Sequence, residues 1–263
     1  MRGRKVARVL RAHRRASIKR ALVPCRLGGA FMPGRLQTLL RDFRAPVHRK
    51  QAFRLLTELH QANLPLEKVV ERAIRLGSNG WYRVRSLQVL SEITALAREV
   101  EALRPQVILE IGTARGGTAL IWAYLAQKRL ITCDLLDKRG FADLVRAFPP
   151  PGSACEVSVL IGDSHASEFA ETVKRTLDGD PVDFLFIDGD HTEEGVAQDY
   201  AMYAPLVRPG GLVAFHDIVD HQPLATNQVH HFWKKVRVGA DVKEIVDNPN
   251  QCGFGIGVLR VPA

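Results

Sequence analysis

The sequence predicts an α/β fold, a doubly wound sheet of seven strands with helices on both faces, mostly parallel but closed by an antiparallel C-terminal hairpin. Three observations predict it. After Pro105, short apolar runs alternate with segments of helical pattern, which argues for a parallel sheet covered by helices. Several of those runs, notably Val107-Ile-Leu-Glu-Ile-Gly112 and Val182-Asp-Phe-Leu-Phe-Ile-Asp188, end abruptly in carboxylates and glycines. Buried parallel strands read this way when they deliver polar groups to the open edge of a sheet, where ligands bind. The last two runs are joined only by Asp247 to Gly253, too short for a crossover helix, so they must pair antiparallel.

Residues 1–50 read as a basic arm, disordered or helical. They carry 15 Lys and Arg against a single acid, Asp42, whereas the remaining residues carry 22 against 27. Val6, Leu10, Ile18 and Leu22 could line one side of a helix with arginines opposite, which suits an anionic membrane surface or a nucleic acid. An organellar transit peptide and a solvated basic tail are the competing readings. Residues 51–104 form a helical lead-in. Two short helices are expected between Gln51 and Leu76, the second opened by Pro65 and closed by Gly77, then a turn at 78–80. Val89, Ile93, Leu96, Val100 and Leu103 keep helical spacing until Pro105. The strands of the main domain, 105–263, fall at 106–111, 129–133, 156–161, 182–187, 211–215, 242–246 and 254–260.

At 263 residues the chain holds one large domain and an appendage. No apolar run approaches a membrane span, and no h-region follows the basic start. Cys25, Cys133, Cys155 and Cys252 are scattered without C-x-x-C spacing, as expected of reduced thiols in a cytoplasmic protein.

Glu110-Ile-Gly-Thr-Ala-Arg-Gly-Gly117 follows the first strand and opens the helix from Thr118. Gly112 and Gly116 permit a tight turn whose N–H groups can face a ligand. The spacing is neither G-x-G-x-x-G nor a phosphate loop, and Glu110 would repel pyrophosphate but suit an ammonium or sulfonium. Asp134 ends the second strand, placed to accept both hydroxyls of a ribose. Gly162-Asp163-Ser164 ends the third, where a carboxylate could accept from an adenine amine.

In order and spacing these motifs resemble class I S-adenosylmethionine-dependent methyltransferases, from about Arg85 to the C-terminus. Glu110 to Gly116, Asp134, Gly162-Asp163, Asp188 and Leu206-Val-Arg-Pro-Gly-Gly-Leu212 carry the resemblance, together with the terminal hairpin. It implies a Rossmann-like fold and a donor site of Glu110, Gly112, Thr113, Gly116, Gly117, Asp134, Gly162, Asp163, Ser164 and Asp188.

A second cluster, Asp188-Gly-Asp-His191 and His216-Asp217, follows the fourth and fifth strand ends. Two carboxylates and an imidazole suit a divalent cation, Mg²⁺ for oxygen ligands or Mn²⁺, Fe²⁺ or Zn²⁺ where a His joins them. The cluster resembles metal-dependent O-methyltransferases, closest to the macrocin O-methyltransferase-like and cephalosporin-hydroxylase-like branch. That resemblance implies Asp188, His216 and Asp217 as metal ligands and His191 as general base, with Asp188 beside it in catalysis. His216 departs from the acid the family usually places there. The implied reaction is methyl transfer to a hydroxyl of a small molecule or sugar-containing metabolite. The alternatives are a nucleic-acid methyltransferase guided by the arm, or a non-catalytic protein that binds the donor. Acceptor recognition falls to Gly80-Trp-Tyr-Arg83, the loop 220–228 and Phe232-Trp233, and the other histidines (His165, His221, His230, His231) read as surface or lid residues. A homo-oligomer and attachment at the periphery of a membrane remain open.

Overall fold

The computed structural model describes residues 34–77, 80–136 and 140–263. The turn expected at 78–80 lies largely outside them, as does the helical pattern expected between Val6 and Leu22.

Helix α1 spans Gly34–Gln61 and α2 spans Leu66–Ala73. A 3₁₀ turn at Gly80–Tyr82 leads to α3, Leu90–Leu103. The strand–helix alternation then runs β1 Val107–Ile111, α4 Gly117–Leu125, β2 Arg129–Asp134, α5 Phe141–Arg146, β3 Glu156–Ile161 and α6 Ser167–Leu177. It continues with β4 Val182–Ile187, α7 Glu193–Tyr203, β5 Val207–His216, α8 Val229–Val236, β6 Asp241–Ile245 and β7 Ile256–Arg260. The strands form one sheet in the order β3-β2-β1-β4-β5-β7-β6. Only the pairs β5–β7 and β6–β7 are antiparallel, as the short final connection requires. The strand order reverses between β1 and β4, and that switch point is where such sheets bind ligands.

Period-two alternation splits the apolar residues between two faces. Ile108, Phe184, Phe186 and Ala214 turn to one side, where α1 to α5 pack. Leu109, Ile111, Leu185, Ile187 and Phe215 turn to the other, against α6, α7 and α8. Helix α4 is buried almost all round, because it lies between the sheet and the lead-in helices α2 and α3. Its Trp122 meets Phe184 and Phe186 edge-on, at 5.0 and 5.4 Å between ring centroids.

The lead-in differs from expectation. A single 28-residue helix, α1, replaces the first short one and runs across the boundary drawn at residue 50. Ala52, Leu56 and Leu59 bury one side of it, and Asp42, in its N-terminal half, accepts from Trp81 Nε1 at 2.9 Å. Pro46 lies inside it without ending it. Strand β5 begins at Val207, before the expected 211, with a register irregularity opposite Val182 and Phe184. Strand β7 begins at Ile256, because Phe254 and Gly255 both take positive φ.

The terminal hairpin is tied to α3 by Glu92, which is fully buried. Its carboxylate accepts from the backbone N–H groups of Asp247 and Gly255, both at 3.0 Å, and from Gln251 Nε2 at 2.8 Å. Among the described residues no helix is long and apolar enough to cross a membrane.

Candidate active site

Gly112 leaves β1 at φ +110°, and a Cβ there would sit 2.0 Å from the carbonyl oxygen of Asp188. Only glycine lets the β1 and β4 ends approach so closely. Gly117 has the same function on the other side, where a Cβ would meet Ser86 N at 2.5 Å. The segment after Tyr82 therefore lies directly on the turn, with Arg85 bridged to Gly116. Gly116, at φ +68°, opens α4.

The N–H groups of the turn do not behave as expected. Gly112 and Thr113 both donate to Cys133 O, at 2.8 and 2.9 Å, and Gly116 donates to Thr113 O at 2.7 Å. Ala114 N donates to Asp134 Oδ2 at 2.8 Å, and Leu136 N to Oδ1 at 2.9 Å. The turn's donors hold the turn itself. Each oxygen of Asp134 accepts one of these bonds.

Glu110 is fully buried beneath the turn. It accepts from Trp122 Nε1 at 3.0 Å and from Thr132 Oγ1 at 2.5 Å, and Thr132 in turn lies 2.6 Å from Thr113 Oγ1. Thr132 spends its single proton on Glu110, so Thr113 must donate to Thr132. Burial pushes the Glu110 carboxyl up to about 7, against the hydrogen bonds from Thr118, Thr132 and Trp122 that favour its ionised form. Glu110 thus supports the turn from below.

At the β3 end, Gly162 packs against Phe169, and Asp163 Oδ1 accepts from His165 N at 3.0 Å. Ser164 O accepts from Tyr203 Oη at 2.7 Å. His165, expected at the surface or in a lid, is part-buried: its Nε2 lies 3.3 Å from the carboxylate of Asp199, which is fully buried. The Asp199 carboxylate beside it raises the His165 pKa.

The acid–histidine cluster assembles where β4 and β5 end side by side. Asp188 Oδ1 lies 3.1 Å from His191 Nε2 and 3.4 Å from His216 Nδ1. Asp217 Oδ2 lies 3.4 Å from His191 Nδ1, and its Oδ1 lies 3.4 Å from His216 Nδ1. Burial alone would raise the Asp188 carboxyl, but charge on His216 and the hydrogen bond from His191 hold it well below the usual range. Burial alone would lower both imidazoles. Asp217 and Asp188 instead carry His216 to about 9, and Asp188 first, then Asp217, raise His191.

The three residues expected to ligate a cation are thus together, but they are paired with one another. His216 Nδ1 faces two carboxylates at ion-pair distance, and among the described residues no three His, Cys, Asp or Glu side chains converge as a metal requires. In this arrangement the three side chains neutralise one another.

Two residues of the site were not singled out from sequence. Gln88 Nε2 donates to Asp188 Oδ2 at 3.1 Å. Asn227 Nδ2 donates to Asp217 Oδ2 at 2.5 Å. Asn227 belongs to the loop 220–228 expected at the acceptor side. Gln88 carried no signal, since a glutamine before an apolar helix reads as solvent-facing.

Residues 109–218, from β1 to the end of β5, match the model of a family described as a methyltransferase domain. The chain carries a methyltransferase domain. Solved structures share the wider fold. The O-methyltransferase TomG from Streptomyces achromogenes, involved in tomaymycin synthesis and solved with SAM, is 21% identical with a TM-score of 0.51. The alignment covers 76% of this chain and 91% of TomG. Cofactor-bound Rv0187 from MTB is 20% identical, TM-score 0.51, over 89% of this chain and 99% of its own. MycE of the mycinamycin pathway, in complex with Mg, SAH and mycinamycin VI, is 18% identical, TM-score 0.52, over 76% of this chain and 54% of MycE. Within the methyltransferase domain the glycine turn, the acid at the β2 end and the acid–histidine cluster share one rim of the sheet.

Proposed function

We propose that this methyltransferase domain transfers a methyl group from S-adenosylmethionine to a hydroxyl of a small molecule or sugar-containing metabolite, with His191 as general base. One observation carries the reading: Asp188, His191 and Asp217 are in contact at the β4 and β5 ends, on the same sheet edge as the glycine turn. The SAM bound to TomG and the SAH bound to MycE support the choice of donor. Gly112, Thr113, Gly116 and Gly117 shape the turn beside the donor. Asp134, at the β2 end, is placed for ribose hydroxyls, and Asp163 and Ser164 with Gly162 bound the adenine side. Asp188 faces the sulfonium end, and Glu110 supports the turn beneath it.

The donor supplies an electrophilic methyl group on a positively charged sulfur. His191 removes the acceptor's hydroxyl proton, and Asp188 stabilises the imidazolium that results. The remaining requirement is in-line placement of oxygen, carbon and sulfur, which the close-packed β1 and β4 ends provide.

Calorimetry with S-adenosylhomocysteine tests the donor site: binding to the wild type, weakened at least tenfold in Asp134→Ala, is expected. Absence of binding to the wild type would sink the reading. With a labelled methyl donor and a metabolite extract, His191→Ala should lose transfer to hydroxyl compounds while still binding S-adenosylhomocysteine.

A metal-assisted version is the second reading, favoured by the buried His216 nitrogens, which make no hydrogen bond, and by the Mg present in the MycE complex. It requires His216 to give up its carboxylate partners. Loss of transfer in excess chelator, restored by Mg²⁺ or Mn²⁺ with donor binding intact, would establish it.

A further inference from the structure

Asn227 stands two residues before α8 with 8% of its surface exposed. Its amide orientation is fixed by chemistry, because the Asp217 carboxylate can only accept, so the NH₂ group must point towards Oδ2. That leaves Asn227 Oδ1 buried without a hydrogen-bond partner. A side chain kept only to hold its loop would use both ends of the amide; this one uses the end that faces Asp217 and His191.

The same nitrogen, Asn227 Nδ2, lies 3.4 Å from His191 Nδ1. On the other side of the ring, His191 Nε2 faces Asp188 Oδ1 at 3.1 Å. A neutral imidazole carries one proton, and two carboxylates compete for it. Asp188 draws it to Nε2, and Asp217 Oδ2, 3.4 Å from Nδ1, draws it the other way. Asn227 decides the competition. One of its N–H groups occupies Asp217 Oδ2, and the other is available to the bare lone pair of Nδ1.

We propose that Asn227 is a positioning residue that holds His191 in the Nε2–H tautomer and so makes Nδ1 the nitrogen that receives the acceptor's proton. This rests on His191 acting as the base of the reaction proposed above. In that step the acceptor O–H bond breaks and its proton goes to Nδ1. The oxygen forms a bond to the donor's methyl carbon, and the C–S bond breaks with its electron pair passing to sulfur. The Asn227 N–H next to Nδ1 must give way to the hydroxyl, so the amide keeps the place of the acceptor until the acceptor arrives. Gln228 N, next to Asn227 in the chain, donates to His191 O at 2.7 Å and so ties the Asn227 loop to the histidine's backbone.

The test needs no acceptor. In long-range ¹H–¹⁵N spectra of histidine-labelled protein, with His191 assigned from His191→Gln, the neutral wild-type ring should show its bare-nitrogen resonance at Nδ1. In Asn227→Leu and in Asn227→Asp that resonance should move to Nε2 or disappear, because Asp217 is released to take the proton. A bare Nε2 in the wild type, or a bare Nδ1 kept in both variants, overturns the proposal. S-adenosylhomocysteine calorimetry on the same samples separates the two questions. Variants that bind it as the wild type does report on Asn227 alone, and a wild type that does not bind it refutes the donor reading instead. If one variant fails to fold, the other and the wild-type spectrum still decide.

Discussion

Glu110 and His191 show how far a residue's chemistry depends on its surroundings. Glu110 looks like a fixed negative charge at a strand end, but it is fully buried and its carboxyl is pushed up to about 7, first by burial. Between its ordinary value of 4.5 and about 7 the folded protein holds a proton that the unfolded chain has released. The contribution of this group to stability is therefore lost as pH rises through that window. Glu110→Gln keeps an acceptor for Trp122, and its stability relative to the wild type should rise across the window by up to about 3 kcal/mol. Urea melts at pH 4.5 and 7.5 would measure this, and a constant difference would refute it. His191 shifts in the same direction from a different cause. Asp188 and Asp217 raise its pKa above 6.5, so it stays protonated to higher pH than a free histidine and becomes a base only above that point. An NMR titration should place its midpoint above 6.5 in the wild type and lower in Asp188→Asn. An unchanged midpoint would remove Asp188 as the cause.

At the scale of elements, the decisive contact is between the ends of β1 and β4. Gly112→Ala would place a Cβ 2.0 Å from Asp188 O on a backbone at φ +110°. The strand ends must then separate, at a cost of about 2 kcal/mol or more, and the glycine turn moves with them. Melting and S-adenosylhomocysteine calorimetry should both register this, with affinity down at least tenfold; a variant with wild-type affinity would show that the turn tolerates the side chain. The strands were legible because apolar runs of five or six residues bounded by glycine and acid have few other readings. Glu92 was not. A glutamate on a helix reads as solvent-facing, and nothing local announces that a loop some 155 residues later brings Asp247 N and Gly255 N to its carboxylate.

For the whole molecule the boundary that matters is that of the arm. Helix α1 crosses residue 50, so a cut at Gln51 would remove Asp42 and its hydrogen bond to Trp81. We propose that the basic residues before Gly34 are dispensable for folding and serve attachment, by charge, to an anionic surface. A chain beginning at Gly34 should melt as the full chain does, whereas one beginning at Gln51 should melt several degrees lower. Only the full chain should sediment with phosphatidylserine-containing vesicles at low salt, since such attraction contributes about 1 kcal/mol per basic residue near the surface and is screened by salt. Equal sedimentation of the Gly34 chain would refute this role for the arm.

Chain order and local pattern were enough to predict the seven strands, the reversed final pair and the methyltransferase resemblance. These follow from side-chain period, turn residues and connection length, which act over a few residues. The structure decided what those residues do for one another. Buried N–H groups must be satisfied, so the glycine turn spends its donors on Cys133 and Asp134. Two carboxylates brought together at the β4 and β5 ends need compensating charge, and His191 and His216 pair with them. Gln88 and Asn227 enter the site from segments 100 and 10 residues away from the carboxylates they hold. Hydrogen bonding and charge neutralisation act between groups close in space, and only the folded sheet sets which groups those are.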